Sequence, residues 1–502
     1  MILQYLLDEL ESKKIEGKTD INIQKIEYDS KKITEDDIFV AINGYEVDGN
    51  EFITEAIEKG AKVLVIEEKV EEIVKEKIND KLNDITLIVV ENARVALATL
   101  ARKYYGSPDK MLNIIGVTGT KGKTTTAYMI RDIMLAAGKK IGMIGTICTT
   151  YADVTIESER TSPESLEMYK IFKDMVDKEI EYVVMEVSSH ALELHRVHGI
   201  HFALGVFTNL SREHLDFHET MENYLDAKKK LFENCDFALV NGDDIYTPAL
   251  IKGLNCKIAK FGLDNEVNIT SSDVRTLGGY TEFKMYINKM LETIRVNIPG
   301  RFTAYNALAA IGVCSMLGCQ MDAIIPALLN LKVPGRSEVV DIGKTFTAVV
   351  DYAHTPSSLE AILTSTKKYA KGRIICVFGC GGNRDEGKRE EMGKISGRYA
   401  NFTVITTDNP RDEDPKKIMN QIEKGVKESN GLCTKLENRK EAIRFTMRIA
   451  WKNDIIIVAG KGHETYQILK NKKKIHFDDR EVIMSLATEF PDKNLEPNEA
   501  VN

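Results

Sequence analysis

Residues 112–117, Leu-Asn-Ile-Ile-Gly-Val, run directly into Thr118-Gly119-Thr120-Lys121-Gly122-Lys123-Thr124-Thr125, and no other stretch limits the fold of this chain so tightly. An apolar run, a glycine-rich turn and a helix-forming stretch together make a strand–turn–helix unit, the building block of a parallel α/β layer. Glycines let the backbone wrap around an anion with its N–H groups turned inward. The start of the helix adds a favourable dipole. Lys123 can neutralise phosphoryl oxygens, and the Thr124 hydroxyl can serve as a ligand for Mg2+. The common spacing GxxxxGK[ST] would put glycine at 117, where this chain has Val117, so the loop is a GTxGKT variant. A glycine-rich turn without function is the competing reading. Gly-Lys-Thr-Thr directly after an apolar strand weighs against it, and Gly119, Thr120, Lys121, Gly122, Lys123, Thr124 and Thr125 are the candidate nucleotide contacts.

The rest of the chain repeats the same grammar. Its 502 residues suggest about three domains. Residues 1–107 hold short apolar runs at 38–42, 63–66 and 87–90, then a helical stretch over 94–105 that stops at Gly106-Ser107-Pro108. Residues 108–333 add strands at 141–144, 182–187, 203–207 and 237–240, with an alternating hairpin over 281–298 beside that core. After Val333-Pro334-Gly335 a third unit, 334–490, carries strands at 348–350, 374–378, 403–406 and 455–459. Strands alternating with helices argue for open, doubly wound sheets, whose ligands sit beyond the carboxyl ends of the strands. The expected fold is therefore α/β in three domains: a small N-terminal α/β domain, a central P-loop ATPase-like doubly wound sheet, and a C-terminal Rossmann-like domain.

Composition narrows the function. A net charge of −8 disfavours nucleic-acid binding, which wants a basic excess, while local Arg and Lys clusters can still hold an anionic substrate. The opening MILQYLLDELES has no basic start and is broken by Asp8 and Glu9, so it does not read as a signal peptide. No stretch approaches the ~18 apolar residues of a membrane span. Eight scattered cysteines without a CxxC pair read as reduced cytosolic thiols, and Cys376 and Cys380 as strand packing rather than metal ligands.

Further motifs follow in a fixed order: Met185-Glu186-Val187-Ser188-Ser189-His190, Thr208-Asn209-Leu210-Ser211-Arg212-Glu213-His214-Leu215-Asp216, Tyr305-Asn306-Ala307, Pro334-Gly335-Arg336 with Glu338, and Asp351-Tyr352-Ala353-His354-Thr355-Pro356. With the phosphate loop, this series resembles the Mur ligases and their folylpolyglutamate synthetase relatives over nearly the whole chain. Asp29-Ser30-Lys31, Gly44-Tyr45-Glu46-Val47-Asp48-Gly49, His195-Arg196, Asp408-Asn409-Pro410-Arg411 and Gly460-Lys461-Gly462-His463-Glu464 are similar to members acting on UDP-N-acetylmuramoyl-L-alanyl-D-glutamate.

The resemblance implies roles. Residues 1–107 are expected to bind the UDP substrate, 108–333 ATP, and 334–490 the amino acid. Ser30, Tyr45, Glu46 and Val47 are implied on the uridine side, and Thr161, Ser162, Ser188 and Arg196 as further precursor contacts. Ser162 stands where a second threonine is common, and Leu194 where some members have glutamine; the latter puts one polar contact in doubt. Asn306 and His354 are implied on the nucleotide side, with Arg336 and Asp351 as interdomain members of the same set. Mg2+ is implied at Thr124, Glu186, His214 and Lys228. Taken alone, Glu186 ends an apolar strand and is either a hard metal ligand or a salt-bridged or capping carboxylate. His214 is either a ligand or a hydrogen-bonded loop histidine. Lys228-Lys229-Lys230 reads as a solvated helix face, whereas the resemblance implies a carbamate on Lys228, which needs a lysine whose pKa is lowered by burial. With Lys123, these three are the implied catalytic set.

In the third unit Arg411 offers a planar fork for a carboxylate, or else sits in a surface turn among Asp408, Asp412, Glu413 and Asp414. The resemblance associates Asp408, Asn409, Pro410 and Arg411 with meso-2,6-diaminopimelate, which has a second carboxylate where lysine has none. It also implies Arg389 as a carboxylate contact, Glu464 as an ammonium contact, and Gly460 beside them. The expected activity is an ATP-dependent ligase, working through an acyl phosphate on peptidoglycan precursors in the cytoplasm, as a monomer, with no nucleic-acid or membrane partner. A sibling that adds L-lysine or another diamino acid, and a catalytically silent nucleotide-binding homologue, are the alternatives.

Overall fold

The computed structural model describes residues 1–44, 47–78, 84–277, 279–287 and 290–490. Tyr45 and Glu46, implied above as uridine contacts, lie outside the described residues. The chain forms two compact units: Met1–Ile269 together with Ala309–Gln320, and Thr270–Leu308 together with the residues from Met321 onward.

Two sheets make up the first unit. The N-terminal sheet has five strands in the order Ser12–Glu16, Thr86–Val90, Ala61–Glu67, Asp37–Val40, Ile26–Glu27, and only the first pairing is antiparallel. The larger sheet has nine strands. At its middle, Asn113–Thr118 lies between Tyr182–Glu186 and Phe202–Phe207, parallel to both. Parallel strands covered on both faces are written in sequence as unbroken apolar runs, and here Ile114, Ile115, Val117, Val183, Val184 and Met185 are all fully buried. The register sets Glu186 beside Val117 and Phe207 beside Thr118, so three strands release their loops side by side. The outer strands Cys148–Tyr151 and Val154–Glu157 turn antiparallel.

In the second unit, Ser272–Leu277, Tyr280–Ile287 and Met290–Val296 form an antiparallel sheet, so the expected hairpin has a third strand. This sheet falls in the second unit, not with the nine-stranded sheet. A six-stranded sheet follows, in the order Glu338–Val340, Thr347–Asp351, Ile455–Ala459, Ile374–Phe378, Phe402–Ile405, Cys433–Lys435, parallel after the first pairing. Cys376 and Cys380 are buried in its apolar core. Beneath the strand ends, Arg439 is fully buried and pairs with Asp479 at 2.7 and 2.8 Å. The same guanidinium donates to the carbonyls of Ala459 and Thr407, tying two loops to one support. The fold is thus α/β in three domains, two of them in the first unit. Among the described residues no helix is long and apolar enough to cross a membrane.

Candidate functional site

The phosphate loop is a closed cradle. Gly119 has φ 144° and a side chain there would collide with the Thr208 hydroxyl, so only glycine fits. The following loop clamps it: Thr120 N–H donates to Asn209 O at 2.8 Å, and Lys121 N–H to Asn209 Oδ1 at 3.0 Å. Thr208 Oγ1 and Asn209 Nδ2 donate back to Lys121 O at 2.7 and 3.0 Å. Gly122, with φ 87°, opens helix Lys123–Ala136. Lys123 Nζ folds over the loop and donates to Gly119 O at 2.8 Å and Thr120 O at 3.2 Å. A cation held over a glycine-rich turn at a helix start is suited to phosphate.

Glu186 sits next to it, buried at the end of its strand. Thr124 Oγ1 donates to Glu186 Oε2 at 2.9 Å; Thr146 donates to the same carboxylate through its N–H at 2.8 Å and its hydroxyl at 3.0 Å. The Thr146 and Thr161 hydroxyls lie 3.1 Å apart, while Ser162 donates to Glu186 O and accepts from Ser188 N–H. Thr124, Thr161, Ser162, Ser188 and Glu186 are therefore one network.

His214 begins the short helix Leu215–His218 with φ 57°. Its ring stands edge-on to His190 with centroids 4.9 Å apart, and 6.1 Å from Tyr224. Burial pushes the imidazoles of His190, His214 and His218 down to about 4, so all three are neutral near pH 7. Helix Met221–Glu233 separates the three lysines physically. Lys229 caps Lys252 O and Lys230 pairs with Glu193, both at the surface. Lys228 is buried, with Nζ 4.4 Å from the centre of the Tyr224 ring. Desolvation, then repulsion from Lys123, drives the Lys228 amine well below its ordinary value. Tyr224 also reaches the phosphate loop, its hydroxyl 3.1 Å from Thr120 Oγ1, and stacks on His218.

Among the described residues no three His, Cys, Asp or Glu side chains gather into a metal cage. Thr124 and Glu186 still fit Mg2+ by chemistry: both offer hard oxygens, and Mg2+ is usually held by one or two carboxylates plus phosphate oxygens and water.

Elsewhere in the first unit lies a cavity of about 960 Å³, lined by Ser30, Val47, Arg94, Arg160, Glu164 and Arg196 among others. Arg94 pairs with Glu164 at 3.1 Å, and Arg196 Nε lies 2.8 Å from the other oxygen. Ser30 is buried and donates to Glu55 at 2.8 Å. Leu194 also lines this cavity, where it offers no hydrogen bond.

In the second unit Asp408, Asn409 and Lys461 are buried, and Pro410 holds the chain as it leaves them. Arg411 takes φ 53°, a left-handed conformation that costs a non-glycine residue roughly 1–2 kcal/mol. Its N–H donates to Ile468 O and its guanidinium to Gly382 O, each at 3.0 Å. Glu464 accepts from Asn409 Nδ2 at 3.0 Å, and Gly460 turns at φ 109° beside Asp408.

Arg389 departs from expectation. It is fully buried and spends both terminal nitrogens on Glu413, at 2.6 and 2.8 Å, with Gln421 at 2.7 Å. A guanidinium so occupied cannot also grip a substrate carboxylate; it anchors the loop instead. Arg384, exposed and without a hydrogen bond or ion pair among the described residues, lies against Gly381 together with Arg411 and is the cation that sequence reading missed. Asn306 is buried on helix Arg301–Met316. Arg336 lies over the Tyr352 ring at 4.7 Å, Asp351 accepts from the N–H groups of Ser337 and Ala353, and His354 Nδ1 is 2.8 Å from Tyr352 O. Thr146, Asn209, Tyr224 and Lys461 were also missed. Asn209 and Lys461 lay inside motifs already noted; Thr146 and Tyr224 did not.

A Lys-Thr phosphate loop facing a strand-end carboxylate on a parallel sheet defines a nucleotide-binding protein. Comparison with known families then matches "Mur ligase family, catalytic domain" over residues 22–105, "Mur ligase middle domain" over 117–314, and "Mur ligase, glutamate ligase domain" over 335–462. The chain belongs to the Mur ligase family and is an ATP-dependent enzyme that forms amide bonds. It is 44% identical over 493 residues to UDP-N-acetylmuramoyl-L-alanyl-D-glutamate–2,6-diaminopimelate ligase of Clostridium perfringens, covering 97% of this chain and 99% of that one. The ligase of the same name from Clostridium botulinum is 45% identical over 472 residues, covering 93% and 96%. A solved structure bearing that name superposes with TM-score 0.68 at 28% identity, covering 97% of this chain and 99% of the other.

Proposed function

We propose that this chain joins meso-2,6-diaminopimelate to UDP-N-acetylmuramoyl-L-alanyl-D-glutamate, driven by ATP cleavage, in cytoplasmic peptidoglycan precursor synthesis and as a monomer. Relatives at 44% and 45% identity over almost the full length carry that reaction in their names. The observation that supports the choice of amino acid is the grouping of Arg411, Arg384 and Glu464 around the 408–411 turn. Two guanidiniums and a carboxylate match the distal carboxylate and ammonium of diaminopimelate; L-lysine has no distal carboxylate for the guanidiniums to meet.

In this reading residues 1–107 take the uridine end of the precursor, with Ser30 and Val47 in the first-unit cavity and Arg196 at its wall. Residues 108–333 take ATP, and 334–490 the amino acid. The D-glutamyl carboxylate oxygen attacks the γ-phosphorus, and the bond to the β-phosphate oxygen breaks, giving an acyl phosphate and ADP. The amine then adds to the acyl carbon, phosphate departs and a proton is released, leaving an amide. Lys123 and the loop amides hold the phosphates in line, so positioning and charge neutralisation supply most of the acceleration. Mg2+ held by Thr124 and Glu186, with His214 and a carbamate on Lys228 completing the set, would draw charge from the γ-phosphate. The low-pKa amine of Lys228 supports that carbamate, because only a neutral amine adds CO2.

An ADP-release assay with the UDP-dipeptide and meso-diaminopimelate, L-lysine or L-ornithine tests this reading. Turnover with diaminopimelate well above the others is expected. Equal use of lysine would remove the role given to Arg411 and Arg384, and release with none would favour a silent nucleotide-binding protein.

A further inference from the structure

Within the 460–464 turn the proposed chemistry gives Lys461 no role, yet it is entirely buried. Its Nζ donates to three side chains: Asp408 Oδ1 at 3.3 Å, Asn409 Oδ1 at 3.2 Å and Glu464 Oε2 at 3.0 Å. A lysine is rarely buried completely unless paired, and here its three donors match three acceptors. The acceptors come from two loops that leave different strands, Phe402–Ile405 and Ile455–Ala459.

The bonds around this ammonium are directional. Asn409 gives Oδ1 to Lys461 and to Ile468 N–H, which turns its Nδ2 toward Glu464. Glu464 is thus fixed by two donors on the same oxygen, Oε2, leaving Oε1 without a hydrogen bond to either of them. Two carboxylates, Asp408 and Glu464, share the Lys461 ammonium, and the guanidiniums of Arg411 and Arg439 lie within electrostatic reach of both.

We propose that Lys461 is a specificity-setting positioning residue. It ties the turn that carries Arg411 to the turn that carries Glu464. The distance between the carboxylate-binding and ammonium-binding groups is then fixed to suit an amino acid with both charges at its far end. This rests on the reading that diaminopimelate is the amino acid added. Lys461 itself need not touch the substrate.

The test compares the full-length wild type with Lys461→Met and with the double variant Asp408→Asn/Lys461→Met, which avoids burying two unpaired carboxylates should the single variant fail to fold. Steady-state constants are measured for ATP, the UDP-dipeptide, meso-diaminopimelate and L-lysine. Loss of the tether is expected to raise KM for diaminopimelate about tenfold or more while KM for ATP and the UDP-dipeptide stays within about twofold. The ratio of kcat/KM for diaminopimelate over lysine is expected to fall by about tenfold. A lysine that only filled space would depress both amino acids alike, and an unchanged ratio in either folded variant overturns the proposal. If the wild type itself does not prefer diaminopimelate, it is the functional reading that fails, before Lys461 is tested.

Discussion

Glu413→Gln asks whether the loop that presents Arg411 is held from below by Arg389. The substitution keeps shape and removes charge, leaving a fully buried guanidinium without the carboxylate that now meets it at 2.6 and 2.8 Å. Breaking a wholly buried pair from one side costs about 3–5 kcal/mol. The Glu413 side chain is 14% exposed, and water reaching its edge brings the expectation to about 2–3 kcal/mol. For a domain of this size that lowers Tm by roughly 4–12 °C. The pH dependence is a second reading of the same pair. The Arg389 hydrogen bonds hold the Glu413 carboxyl at about 2, below its ordinary 4.5. A carboxyl depressed in the folded state contributes its full stabilisation above its unfolded value, and loses it as pH falls from about 4.5 towards 2. Calorimetric melting at pH 7 and through that window measures both. The variant is expected to melt lower at pH 7 and to lose less on acidification than wild type. Equal melting temperatures at pH 7 with parallel acid profiles would refute the anchoring role of Arg389.

Tyr224→Phe keeps the ring beside Lys228 but removes the hydroxyl next to Thr120; kcat is expected to fall about three- to tenfold, with a rise in KM for ATP and none for the UDP-dipeptide. An unchanged ATP response would separate Tyr224 from the phosphate loop. Arg384→Ala is expected to cut kcat/KM for diaminopimelate about tenfold or more and to leave L-lysine use unaltered, whereas Arg389→Ala should lower Tm and impair both amino acids. If Arg389→Ala is the selective variant and Arg384→Ala is not, the assignments are reversed.

What the sequence discloses follows from burial. The central strands of both large sheets are covered on each face, so apolar runs such as Ile-Ile-Ile-Val-Ala at Ile455–Ala459 announce them. Edge strands carry no such mark. Ser12–Glu16 and Val154–Glu157 are exposed or half-exposed throughout, and both pass for loop. The phosphate loop is legible because its chemistry is contiguous: backbone amides, Lys123 and Thr124 sit within a few residues of one another. Helix Met221–Glu233 buries Tyr224, Leu225, Lys228, Leu231 and Phe232 along one stripe, so helical period sets Lys228 apart from Lys229 and Lys230 even though three consecutive lysines read as a solvated face. Arg389 and Arg384 show the reverse failure. Helix Gly387–Tyr399 buries Arg389, Met392, Gly393 and Ser396 on one stripe, so Arg389 faces the core, while Arg384 precedes the helix and stays in solvent. Lys461 sits in a glycine-flanked turn, where nothing local foretells that two of its three partners lie about fifty residues earlier.

The most direct test of the chemistry follows oxygen atoms. With the D-glutamyl γ-carboxylate of the UDP-dipeptide labelled with 18O, attack by that carboxylate on the γ-phosphate transfers one labelled oxygen to the phosphate released in each turnover. Mass analysis of that phosphate should find a single 18O in step with amide formation. Unlabelled phosphate from a full turnover would mean that the carboxylate is never phosphorylated.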